Sequence, residues 1–154
     1  MEYVPSKSKG RLKRLGLLYF LIYDMNYVQN KIDRLEAGEI IVSREPGSSM
    51  EPILKSREPV ILTPITIDEA IKYLKKGDIV FAKVHGNCYT HKVYEIDQTK
   101  GVKIGNNRGH ENGWTRQVYA QAHIIPKERQ TSKEDTAQYL EEFKQTWKGY
   151  GKEN

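Results

Sequence analysis

From Leu18 onward apolar residues recur at helical spacing. Leu18, Leu21, Ile22, Met25, Val28, Ile32 and Leu35 share one face, while Asp24, Asn30, Lys31 and Arg34 take others. The spacing predicts an amphipathic helix over residues 12–36 with Gly38 as its C-cap. Residues 1–10, mixed Pro, Ser, Lys and Gly, predict a flexible N-terminus. The period then shortens. Residues 39–44 and 59–64 are β-branched runs that predict strands, and residues 45–52 between them are turn-rich, with Pro46, Gly47 and Pro52. Ile67, Ala70, Ile71 and Leu74 predict a helix over 66–76, with acids in its first turn, lysines in its last and Gly77 after it. Strands follow over 78–84, 88–96, 101–104 and 117–125, and the separators are 85–87, 97–100 and a long loop over 105–113. Alternation through 88–96 predicts Tyr89, His91, Val93 and Glu95 on one face, with Cys88, Thr90, Lys92, Tyr94 and Ile96 on the other. Pro126 ends the sheet. Thr131 with Glu134 reads as a capping box, opening a charged helix with a Leu140, Phe143 and Trp147 stripe that ends at Gly149. The predicted fold class is α+β, mainly β: a mostly antiparallel, curled sheet with an N-terminal amphipathic helix and a C-terminal helix. In domain terms this is one domain over 11–126, followed by a charged helix and tail over 127–154.

At 154 residues there is room for one domain. A single Cys excludes a disulfide scaffold and a cysteine-rich zinc module, and Cys88 itself reads as packed. The net charge of +5 is mildly basic, so nucleic acid as a partner is weakly supported. The apolar run over 15–23 follows five basic residues like a secretory signal, yet no small-x-small cleavage site comes after it. It is also far short of the ~20 residues a membrane-crossing helix needs, so no transmembrane segment is expected. Peripheral membrane contact through residues 12–36 is the alternative reading of that helix. His85, His91, His110 and His123 match no standard zinc spacing, and no metal is expected. Arg108, His110 and Trp114 are candidates for a binding rim.

Four blocks carry the chemistry. They are Gly47-Ser48-Ser49-Met50-Glu51-Pro52, Gly77-Asp78-Ile79-Val80, Thr90-His91-Lys92-Val93 and Gly105-Asn106-Asn107-Arg108. In this order and spacing the chain resembles the superfamily of signal peptidases and LexA-like autopeptidases, over residues 39 to about 125. That superfamily has a Ser-Met-x-Pro nucleophile turn, a Gly-Asp-hydrophobic strand, a base-bearing strand and a late Gly-Asp-Asn motif. Thr90-His91-Lys92-Val93 is similar to the version that uses histidine rather than lysine as base.

The resemblance implies Ser49 as nucleophile and His91 as base. The oxyanion hole would rest on the Ser49 backbone N–H, with Ser48 beside it, and Gly47, Met50, Pro52, Gly77 and Asp78 would serve as motif support. A serine hydroxyl attacks only once a base takes its proton, and a histidine with a pKa near ~6.5 does so at neutral pH. Asp78 also reads simply as a residue tying its loop to the sheet. The family's late-motif carboxylate is replaced by Asn106, so the residues that would orient His91 are Asn106, Asn112 and Asp97, with Glu111 a further substitute. An amide holds an imidazole without stabilising the imidazolium, a change that costs ~10⁴ in turnover in a triad protease. The implied function is a serine endopeptidase acting in trans on a protein or peptide substrate, with no cofactor. The alternative is a catalytically degenerate member of the same fold that binds protein or nucleic acid. Ala37-Gly38 matches the bond LexA-like proteins cut in themselves, but as a helix C-cap running straight into a strand it predicts no self-cleavage. The resemblance further suggests a small phage-type member working in the host cytoplasm.

Overall fold

The computed structural model describes residues 26–152. The predicted N-terminal segment over 1–10 and the first half of the predicted helix, residues 12–25, lie outside them. The chain divides into two compact units, residues 1–33 and 34–154. Residues 26–36 are helical (α1). Gly38 closes the helix with φ +88°, its N–H bonding to the Leu35 carbonyl and the Glu39 N–H to the Arg34 carbonyl. These paired bonds satisfy carbonyls that the helix end leaves open, and a left-handed residue costs least when it is glycine.

The second unit is built on one antiparallel sheet of seven strands. They are β1 (Ile41–Arg44), β2 (Pro59–Pro64), β3 (Ile79–Val84), β4 (Asn87–Asp97), β5 (Gly101–Gly105), β6 (Glu111–Thr115) and β7 (Gln117–Ile124). Their order across the sheet is β1-β2-β7-β3-β4-β5-β6. The sheet curls until its last strand returns to its middle: the Thr115 hydroxyl on β6 donates to the Lys83 carbonyl on β3 at 2.5 Å. Between β2 and β3, helix α2 (Ile67–Tyr73) is opened by a reciprocal cap, Thr66 accepting from the Glu69 N–H and Glu69 from the Thr66 N–H. Its Ala70, with Leu74 beyond its end, packs with Val80, Ala82, Val84, Val93, Val102, Ile104 and Val118 from the curled strands. Burying such a continuous apolar set is what closes the sheet.

Three expectations change. The span 105–113 contains strand β6 rather than being loop throughout, because Glu-Asn-Gly-Trp-Thr is held by pairing to β5 and by its return to β3, not by β propensity. The alternation through β4 breaks at Tyr94, where the register against β5 slips, so Ile96 and not Glu95 joins Val93 at the core. The last helix, α3 (Lys133–Thr146), is capped by Ser132, whose side chain accepts from the Asp135 N–H; Thr131 instead donates its hydroxyl to Asp135. It stops at Thr146, ahead of Gly149. Phe143 and Trp147 lie against His123 of β7, with ring centroids 5.2 Å apart in each case. Among the described residues no helix is long and apolar enough to cross a membrane.

Candidate active site

β1 runs directly into the 45–58 segment. Gly47 takes φ +104° there, and its N–H bonds to the Ser56 hydroxyl at 3.0 Å, while the Arg57 N–H closes the base of the loop on the Glu45 carbonyl at 2.8 Å. Within it the chain winds tightly, the Glu51 N–H bonding to the Ser48 carbonyl and the Leu54 N–H to the Met50 carbonyl. Met50 and Leu54 are buried and pin the turn down, leaving Ser48, Pro52 and Ile53 exposed. Pro52 follows a cis peptide bond. Ser49 is half-buried at the head of this turn.

His91 lies on β4 opposite Val80 of β3, and directly opposed residues share a face, so its ring points to the side on which the core packs. It is 7% exposed and stacks on Tyr89 at 4.9 Å between centroids. Its Nε2 lies 3.0 Å from the Ser49 Oγ, across 42 positions of sequence. On the other side its Nδ1 lies 2.6 Å from the Asn112 Oδ1. So oriented, the carboxamide oxygen accepts the Nδ1 proton and leaves the Nε2 lone pair to accept the Ser49 O–H. Burial pushes the His91 pKa below its usual 6.5; the Asn112 bond works against that shift, and nearby His110 adds to it. The imidazole is therefore neutral, and able to take a proton, at pH 7.

Asn112 is the extra residue where β6 slips against β5, between Glu111, opposite Gly105, and Gly113, opposite Ile104. Such a bulge re-aims a side chain, here onto the imidazole. Of the other orienting candidates, Asn106 does not reach His91. Its Oδ1 accepts from the Arg108 and His110 N–H groups at 2.8 and 3.0 Å, folding its own loop. Asp97 caps the β4–β5 turn, accepting from the Thr99 and Lys100 N–H groups, and Glu111 pairs with Lys103. These side chains are occupied locally, so the orienting position falls to Asn112.

The 105–110 loop also grips the serine turn. The Asn107 N–H donates to the Ser49 carbonyl at 2.8 Å, its Nδ2 to the Glu51 carbonyl at 3.0 Å, and its Oδ1 accepts from Lys92 Nζ at 3.1 Å. Arg108 Nη2 reaches the Ser48 carbonyl and hydroxyl at 3.3 and 3.1 Å. With its hydroxyl held by Arg108, Ser48 is turned to the loop, and the Ser49 N–H meets no acceptor among the described residues. Asn107 and Lys92 lie inside the motif blocks, but the sequence alone assigns no role to either.

The Asp78 carboxylate accepts from the Lys75 N–H at 2.8 Å and its carbonyl from the Val93 N–H at 2.7 Å, tying the Gly77 turn to β4. Trp114 lies under the ammonium groups of Lys100 and Lys103. His85 sits in the β3–β4 turn with φ +50°, and His123 packs beneath α3. Among the described residues no group of three or more His, Cys, Asp or Glu side chains is placed to hold a metal ion.

No family model, curated protein or solved structure matches this chain.

Proposed function

We propose that this chain is a serine endopeptidase of the signal-peptidase and LexA-like kind, with Ser49 as nucleophile, His91 as general base and Asn112 as the residue that orients the base. The observation that carries the reading is the 3.0 Å approach of Ser49 Oγ to His91 Nε2. That is the reach a proton transfer requires. His91 takes the hydroxyl proton as Oγ attacks a peptide carbonyl, and the Ser49 N–H faces the oxygen on which charge develops. The protonated imidazole then passes its proton to the leaving amine, and water repeats the sequence to free the acyl group.

The substrate is an extended peptide cut in trans, in the cytoplasm on this reading. Self-cleavage at Ala37-Gly38 is disfavoured, because Gly38 is locked in the helix cap and β1 is paired with β2 along its whole length. The test is digestion of a peptide library by wild type against Ser49→Ala and His91→Ala. Wild type is expected to cut a defined subset that both variants leave whole. Equal cutting by Ser49→Ala would sink the reading.

A second reading draws on Asn112. A neutral amide leaves the imidazolium without a counter-charge, which suits a scaffold that binds peptide or another partner and has surrendered turnover. Peptides that bind to wild type and to Ser49→Ala alike, and are never cut, would select it.

A further inference from the structure

Asn112-Gly113 is the one Asn-Gly pair in the chain, and it lies at the orienting position of the candidate site. An asparagine followed by glycine is chemically the least protected amide in a protein, since no side chain on the next residue hinders attack by that residue's backbone nitrogen. Three features of this site favour the attack. Gly113 has φ +124°, outside ordinary strand geometry. Asn112 is the unpaired residue of the bulge, so the ladder that would hold a regular strand rigid is interrupted where the backbone must turn. The Asn112 Oδ1, on which negative charge gathers as the carbonyl carbon is attacked, already accepts the His91 Nδ1 proton at 2.6 Å. A donor aimed at a developing oxyanion lowers the barrier to such a step.

We infer that Asn112 is a self-modification site, whose deamidation to aspartate converts an amide-oriented dyad into a carboxylate triad and so switches on the site proposed above. In the chemistry, the Gly113 nitrogen loses its proton and bonds to the Asn112 Cγ, and the bond from Cγ to Nδ2 breaks. Ammonia leaves and a cyclic imide remains. Water then adds to the imide and reopens it, so the balance is asparagine plus water to aspartate plus ammonia, with no oxidant or reductant. Opening on the side that restores the main chain leaves a carboxylate beside His91 Nδ1. Opening on the other side yields isoaspartate, which lengthens the main chain and withdraws the carboxylate from the ring. The inference rests on the peptidase reading for its consequence but not for its chemistry, and the two are separable by experiment.

Freshly purified wild-type protein would be held at mildly alkaline pH in water enriched in ¹⁸O, and sampled by peptide mapping and by cleavage of the library peptides. The expected result is one heavy oxygen at position 112, growing with time, with asparagines at 87, 106 and 107 changing far less. Peptidase activity should rise in parallel with the aspartate fraction. Asn112→Asp should be active from the first time point, by at least ~10²-fold over fresh wild type, against the ~10⁴ that an aspartate-to-asparagine change costs a Ser-His-Asp triad. Gly113→Ala meets only His85 Nε2 and Val84 Cγ1, at 3.4 and 3.6 Å, but must adopt the positive φ. Asn112→Gln, which closes a larger and slower ring, is therefore the second control, and both should stay unmodified. Position 112 remaining asparagine, or reopening only to isoaspartate, would overturn the inference and leave the Ser49 test untouched. An Asn112→Asp protein no faster than fresh wild type would overturn the activation. If no variant cuts any peptide while position 112 still deamidates, the peptidase reading fails and the switch with it.

Discussion

His91 is oriented by an uncharged partner: the Asn112 Oδ1 accepts its Nδ1 proton at 2.6 Å. The His91–Asn112 pair therefore carries one titrating group, the imidazole, because an amide does not titrate.

The pH profile of kcat/KM follows from this. Burial lowers the His91 pKa, so activity should rise as the ring deprotonates, with its midpoint below 6.5, and stay flat through neutral pH. Asn112→Asp places a negative charge beside the ring, favours the imidazolium and should move that midpoint upward. Rate profiles of the two proteins between pH 4 and 9 check both statements; a midpoint that does not respond to the new charge would remove Asn112 from its assigned place.

Asn107 is the hinge pin of the serine turn. Asn107→Ala keeps the backbone bond to Ser49 but removes those to the Glu51 carbonyl and from Lys92. Loss of such hydrogen bonds costs about 1 kcal/mol of stability, while displacing a nucleophile by about 1 Å costs ~10²-fold in rate. The expected outcome is kcat reduced roughly 10- to 100-fold with KM nearly kept. Steady-state kinetics beside a melting curve separates the two effects.

Gly105 and Gly109 bound the same loop under different constraints. A Cβ at Gly105 would collide with the Tyr94 ring and the His110 carbonyl, whereas one at Gly109 meets open space but must accept φ +91°. Gly105→Ala should cost roughly 1–3 kcal/mol by overpacking and disturb Asn106, whose carbonyl accepts the Tyr94 hydroxyl. Gly109→Ala should cost about 1 kcal/mol from backbone strain alone. Denaturant titration ranks them, and reversal of that order would contradict the packing.

Much of this architecture was legible from residue pattern. The helix start at Thr66, the β-branched runs of β1 to β3 and the Ser-Met-x-Pro turn lie where local preference and tertiary packing agree, although that helix stops at Tyr73, short of the expected Lys76. What escaped is what only long-range pairing decides. Glu-Asn-Gly-Trp-Thr carries no strand alternation and is ordered by β5 on one side and Lys83 on the other. The slip at Tyr94 cannot be read from β4 alone, because it is a relation between two strands. Asn106 and Asn112 were equal candidates along the chain. The loop's fold turned one amide inward to its own backbone and the bulge turned the other to His91.

A second, half-buried histidine should contribute to the acid sensitivity of the fold. His123 lies under Phe143 and Trp147 with its Nε2 2.8 Å from the Thr63 hydroxyl, and burial lowers its pKa to about 4. Its folded pKa is below the unfolded value of 6.5, so the unfolded chain binds more protons between those values. The contribution is intact above pH 6.5 and is lost as pH falls toward 4, by roughly 3 kcal/mol in full. Unfolding of wild type and His123→Gln, followed by Trp fluorescence at pH 7 and pH 4.5, should show the acid loss in wild type and a smaller one in the variant. Equal losses would place the acid sensitivity elsewhere.

One short stretch, residues 105 to 112, steadies the Ser49 turn through Asn107 and His91 through Asn112. Both halves of the proposed reacting pair therefore share a single mechanical anchor. Anything that peels this stretch away disarms them in one stroke, so damage here should yield all-or-nothing behaviour among molecules rather than a graded weakening of each.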